Sequence, residues 1–150
     1  MHWRIYLKSG VVYIPTMQTI GKTHTGIEAE PVEVANAAHR DEILGALMRT
    51  FERGHPHLSI FPPDICLRPW VVLKYANVKS RATFIKGMTG WRLEKDETGS
   101  YCIRPQIKAP KERSVTGWMT DESKMEVFSV STPMDKIAER MADLILKANK

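Results

Sequence analysis

The order of apolar and polar positions divides the chain into strands that come in pairs and a few helices. Residues 3–7 (WRIYL) and 11–14 (VVYI) are aromatic and β-branched runs on either side of Lys8, Ser9 and Gly10, which predicts a hairpin whose second strand Pro15 ends. The Thr- and Gly-rich residues 16–26 read as a loop. Residues 27–34 read as a third strand, with Pro31 implying an edge or a bulge. Over residues 39–53, Ile43, Leu44, Leu47, Met48 and Phe51 recur at helical spacing. Asp41 and Glu42 suit the positive end of that helix, and Gly54 suits its C-terminal cap.

Three prolines between residues 55 and 64 prevent the helix from continuing and predict a long loop over 55–68. Residues 70–75 (WVVLKY) are apolar enough for a central strand. Ser80 then caps a short helix whose stripe is Ala82, Phe84, Ile85 and Met88 and which ends at Gly87 or Gly90. Residues 91–95 and 101–104 form a second hairpin across the turn 96–100, where Gly99 supplies positive φ. Residues 105–124, with two prolines and many charges, read as a loop, and 125–130 return to strand character. Thr132 and Pro133 open a last helix with Ile137, Met141, Leu144, Ile145 and Ala148 on one face. The expected fold is α+β: a single domain over 1–150, largely an antiparallel sheet with about three helices packed on it, and loops near 16–26, 55–68 and 105–124.

At 150 residues the chain can bury one real core, and 43% hydrophobic with 26% charged residues is a globular composition. No apolar run is long enough for a signal segment or a membrane span, so a cytoplasmic location is expected. Cys66 and Cys102 make neither a disulfide framework nor a paired metal motif and read as small buried hydrophobes. The net charge of +5 changes the picture more. Residues 1–67 carry 6 Lys/Arg against 7 Asp/Glu, residues 68–113 carry 11 against 4, and residues 114–150 carry 5 against 6. The whole excess lies in the middle third, as an electrostatic footprint on one face would require.

Catalytic and metal readings find little support in spacing. His55, His57 and Cys66 have zinc-ligand chemistry but match no zinc pattern, and a proline-bound loop explains them. His24 could act as a base, with Lys22 or Arg40 as a nuclease cation, yet no partner is placed by spacing. Gly87, Gly90 and Gly99 do not form a phosphate-cradling loop. No enzyme activity, cofactor or metal is expected.

Residues 74–91 hold Lys74, Lys79, Arg81 and Lys86 among Tyr75, Phe84 and Trp91 with no carboxylate, and Arg92, Lys108, Lys111 and Arg113 follow. Such a set could neutralise several phosphates, so nucleic-acid binding through residues 74–113 is one reading. A solvated face over a core formed by Trp70, Tyr75, Phe84 and Trp91 is the other. Trp118, beside Met119 in a polar segment, is either an interaction anchor or a side chain that folds back onto the core.

Residues 3–17 (WRIYLKSGVVYIPTM), 30–36 (EPVEVAN) and 71–80 (VVLKYANVKS), leading into the Trp91 hairpin, resemble the small immunity proteins of bacterial contact-dependent growth-inhibition systems. The likeness spans most of residues 1–104. It implies a cytosolic, non-catalytic protein that binds and neutralises the C-terminal toxin domain of a neighbouring cell, often a nuclease, in a stoichiometric complex. Immunity proteins against nucleases are often acidic, whereas this chain is basic overall. The resemblance therefore implies docking through one of three surfaces: an acidic rim of Glu28, Glu30 and Glu33; a cluster of Asp121, Glu122 and Glu126; or the basic Lys108, Lys111 and Arg113. Trp118 and Met119 are the candidate anchors.

Overall fold

The first strands are joined by a turn in which Ser9 and Gly10 both have positive φ, 50° and 75°. Two such residues give the tight connection whose twist matches antiparallel strands, and Lys8 faces Val11 across it. The computed structural model describes residues 1–23, 25–108 and 118–150, apart from the side chains of Thr25 and Cys66. Its strands are β1 (His2–Lys8), β2 (Val11–Ile20), β3 (Thr25–Asn36), β4 (His57–Leu58), β5 (Thr89–Lys95), β6 (Tyr101–Lys108), β7 (Trp118–Thr120) and β8 (Glu126–Phe128). Its α-helices are α1 (Arg40–Arg53), α2 (Val71–Tyr75), α3 (Arg81–Ile85) and α4 (Met134–Ala148).

The fold is α+β, one domain in which helices pack on a large sheet of order β3-β2-β1-β5-β6-β7, antiparallel along that path. Two short strands attach beside it: β4 runs parallel to the end of β2, and β8 pairs with the start of β6. Because neighbouring residues point to opposite faces, each face has its own core. On one face Trp3, Ile5, Leu7, Val12, Ile14, Trp91, Leu93 and Ile103 meet Ile43 and Leu47 of α1 and Ile137, Met141 and Ile145 of α4. On the other, Tyr6, Tyr13 and Val32 meet Val72, Leu73, Phe84 and Met88 from α2, α3 and the residues after α3.

The two long helices follow the sequence reading. In α1 the Gly54 amide, at φ 68°, donates to the carbonyls of Thr50 and Phe51, closing the helix with a residue that tolerates positive φ. In α4 the buried positions Ile137, Met141 and Ile145 are spaced by four, so one stripe faces the sheet. Ser80 caps α3 as expected, its hydroxyl accepting from the Thr83 amide at 3.2 Å. Among the described residues no helix is long and apolar enough to cross a membrane.

Four segments differ from the sequence reading. Residues 16–20, read as loop, continue β2 straight through Pro15, because Met17 and Ile20 are completely buried and threonine suits a strand. Pro15 is tolerated there because the pairing with β3 shifts between Pro15 and Thr16, leaving Glu30 and Pro31 without facing residues. The run expected as a central strand at 70–75 is the short helix α2, with Val72 and Leu73 buried. A five-residue apolar run carries no periodicity that separates strand from helix. The loop expected over 55–68 contains β4 and a 3-10 turn at Ile65–Leu67, and the one over 105–124 contains the end of β6, β7 and a 3-10 turn at Glu122–Lys124.

Candidate functional site

A cleft of about 1200 Å³ lies between the β3 side of the sheet and the segment running from residue 65 through α2 to the start of α3. Arg4 of β1 and Glu28 of β3 line it. Arg4 and Tyr6 are two residues apart and share the face that α2 and α3 cover. From β3, Glu28 joins them.

The Tyr6 hydroxyl donates to Glu28 Oε1, and Arg4 Nη1 donates to the same oxygen at 3.2 Å. The Glu28 side chain is only 5% exposed, and its second oxygen is buried with no hydrogen-bond partner among the described residues. Burial first, and then the Glu28 charge, push the Tyr6 hydroxyl well above its ordinary range, so it stays a donor. This is a hydrogen-bonded trio holding β1 to β3.

Above the trio lies an aromatic stack. Trp70 lies over Tyr6 with ring centroids 6.0 Å apart and planes at 21°, and Phe84 meets Tyr6, Tyr13 and Trp70 edge-on. On Trp70 rests the guanidinium of Arg81, 4.1 Å from the ring centroid. At the rim, Glu30 accepts from Lys74 at 3.0 Å and from the Tyr75 hydroxyl. Those bonds, Tyr75 first, hold the Glu30 carboxyl below its usual range. Arg68 and Asp64 form a two-bond pair at 3.0 Å on the opposite rim.

The acidic rim expected from Glu28, Glu30 and Glu33 is therefore not one surface. Glu28 is buried beneath Tyr6, Glu30 is tied to α2, and Glu33 faces the other side of the sheet. There it accepts from Arg49 at 2.8 Å and Arg53 at 2.5 Å. Asp121, Glu122 and Glu126 each have partners within the fold. Asp121 accepts from the Ser123 amide and hydroxyl and lies 3.4 Å from Lys124, while Glu122 lies 3.6 Å from Arg104. Glu126 is clamped by two bonds from Arg140 on α4.

Several described cations of the basic middle are engaged within the fold. Arg92 Nε lies 2.7 Å from Glu94, in ion-pair range but off the angle of a hydrogen bond, and Arg104 donates to the same carboxylate at 2.6 Å. Lys95 lies over Tyr101, and Lys108 faces Trp118 across β6 and β7. Lys111 and Arg113 lie outside the described residues, as does His24. Trp118 is half-buried against the core on the α2 and α3 face, so it folds back at least in part. Met119, its half-buried neighbour, faces Ile107.

For the histidines, His55 Nε2 donates to the His2 carbonyl at 2.7 Å and its ring lies 4.5 Å from that of Trp3. His57 lies 2.9 Å from the Thr19 hydroxyl. Among the described residues no three His, Cys, Asp or Glu side chains converge as metal ligands, and the Cys66 side chain lies outside them. Cys102 is buried on the sheet. Of the cleft residues, Arg4 and Arg68 escaped the sequence reading, as did Tyr6 beside them. The spacing of Arg4 and Tyr6 puts them on one face, but nothing local marks Glu28 as their partner.

No protein-family model matches this sequence, and no curated protein matches it. Among solved structures, the chain is similar to the Protein of Unknown Function NMB0488 from Neisseria meningitidis, with a TM-score of 0.62 and 12% identity, covering 99% of this chain and 92% of that one. At that identity the likeness is one of fold.

Proposed function

We propose that this chain is a non-catalytic immunity protein of the cytosol, which binds a cognate toxin domain and neutralises it in a stoichiometric complex. One observation carries most of the weight. Between residues 60 and 67, Ile60 is 80% exposed, Phe61 47% and Leu67 85%. Large apolar side chains held in water on a chain with two well-filled cores favour a surface awaiting a protein partner. The sequence resemblance over most of residues 1–104 supports the same reading. Against the nucleic-acid alternative, most of the described arginines and lysines of the middle third are engaged with carboxylates and rings of the same fold.

The test is co-expression with the toxin-like C-terminal domain encoded beside this gene. Growth should be restored by this protein, and the two chains should co-purify one to one and stay together in moderate salt. A well-expressed protein that neither rescues growth nor binds that domain overturns the reading.

A further inference from the structure

We propose that the cleft beside α2 and α3 is a docking site for an acidic segment of a protein partner, with the Arg81 guanidinium as its anchor. The inference rests on the toxin-binding reading for the partner's identity, but its own evidence is the charge and shape of the cleft.

Five cations line the cleft: Arg4, Arg68, Lys74, Lys79 and Arg81. Three are already matched, Arg4 by Glu28 at 3.2 Å, Arg68 by Asp64 at 3.0 Å and Lys74 by Glu30 at 3.0 Å. Arg81 and Lys79 have no carboxylate partner among the described residues. Arg81 is also the one whose geometry is set in advance. Its guanidinium lies 4.1 Å from the centre of the Trp70 ring, and Trp70 is itself backed by Tyr6 and Phe84. A guanidinium placed over an aromatic face engages it through its own face and keeps its N–H edges available in the guanidinium plane, where a carboxylate can accept two parallel bonds.

The rest of the lining decides the class of ligand. Ile27, Ile65, Val71 and Val78 share the cleft wall with these charges, and the exposed Leu67 stands at its border. A nucleic acid needs a run of unmatched cations along its phosphates. Here two remain, set among apolar walls. One or two carboxylates flanked by aliphatic side chains satisfy both parts of the cleft, and glutamates alternating with leucines meet that description.

The probe is a fluorescein-labelled peptide of alternating glutamate and leucine, followed by anisotropy, beside the same peptide with glutamine for glutamate and a single-stranded oligonucleotide of matching length. The glutamate peptide should bind saturably and more tightly than either control. Arg81→Ala should weaken it about tenfold or more. Arg81→Lys, which keeps the charge and loses the fork, should weaken it several-fold. Lys147→Ala, on α4 across the sheet, should change nothing. Equal binding of the glutamine peptide, no effect of Arg81→Ala, absence of saturable binding, or tighter binding of the oligonucleotide would each overturn the assignment.

The toxin-like domain separates the two readings. If it binds Arg81→Ala as tightly as the parent protein, the cleft assignment falls and neutralisation stands. If it fails to bind the parent while the glutamate peptide still depends on Arg81, the toxin reading falls and the cleft stands.

Discussion

Arg4 on β1 donates to Glu28 Oε1 on β3 at 3.2 Å, reaching past β2, and the Tyr6 hydroxyl donates to the same oxygen. Glu28 thus satisfies a buried hydroxyl and a half-exposed guanidinium at once. Glu28→Ala leaves both without an acceptor and should destabilise the protein by about 2–4 kcal/mol. Glu28→Gln keeps an acceptor oxygen in place and should cost about half as much. Urea unfolding of the two variants checks this. A Glu28→Ala midpoint equal to that of the parent would mean the trio contributes nothing to the fold.

Trp118 packs against the core beneath α2 and α3 from a three-residue strand at the sheet edge. Because it is half-buried, Trp118→Ala should destabilise by about 1–3 kcal/mol, below the range for a fully buried tryptophan. Trp118→Phe should recover most of that. An unchanged urea midpoint in Trp118→Ala would show that the contact does not order β7. A loss of partner affinity in this variant counts as an interface effect only if it exceeds the loss of folded protein.

The sequence was legible where one local rule decides the outcome. Ser9 and Gly10 set the first hairpin and its register, the four-residue spacing of Ile137, Met141 and Ile145 set α4, and Ser80 set the cap of α3. It misled where the deciding interaction is distant. Residues 16–20 are strand because Met17 and Ile20 fill the interior, and no neighbouring residue announces that. Residues 71–75 are helix because they lie across β2 and β3 as a lid on Tyr6 and Tyr13. The acidic rim failed for a reason that alternation already contains: Glu28 and Glu33 are an odd number of residues apart and so point to opposite faces of the sheet, while the unpaired state of Glu30 and Pro31 has no local signal beyond the proline. The Arg81 and Trp70 contact brings together residues that the sequence reading assigned to separate roles, one to a basic patch and one to the core.

His2 is half-buried, and burial, followed by the charges of Arg92 and Arg4, lowers its pKa from 6.5 to about 3. The unfolded chain therefore takes up a proton near pH 6.5 that the folded chain refuses until about pH 3. Stability from this group is complete above pH 6.5 and falls as the pH drops from there towards 3. His55, also lowered mainly by burial, acts in the same direction. Glu33, held low by Arg53 and Arg49 against the opposing effect of burial, keeps its contribution above the ordinary carboxylate range and loses it as the pH falls through and below that range. Urea midpoints between pH 7 and 5 therefore read the histidines. His2→Gln should flatten the fall over that interval, and an unchanged slope would show that His2 protonates as readily in the fold as outside it.

Ile60 and Leu67 separate the fold from the partner surface. At 80% and 85% exposure they bury almost nothing, so Ile60→Ser with Leu67→Ser should leave thermal stability within about 0.5 kcal/mol of the parent. If they form the apolar part of the toxin-binding surface, the same pair of changes should raise the dissociation constant of the complex about tenfold or more, chiefly through faster dissociation. Kinetics of the purified complex with and without the substitutions measure this directly. Unchanged kinetics with unchanged stability would remove the exposed apolar segment from the interface and leave the cleft around Arg81 to account for binding.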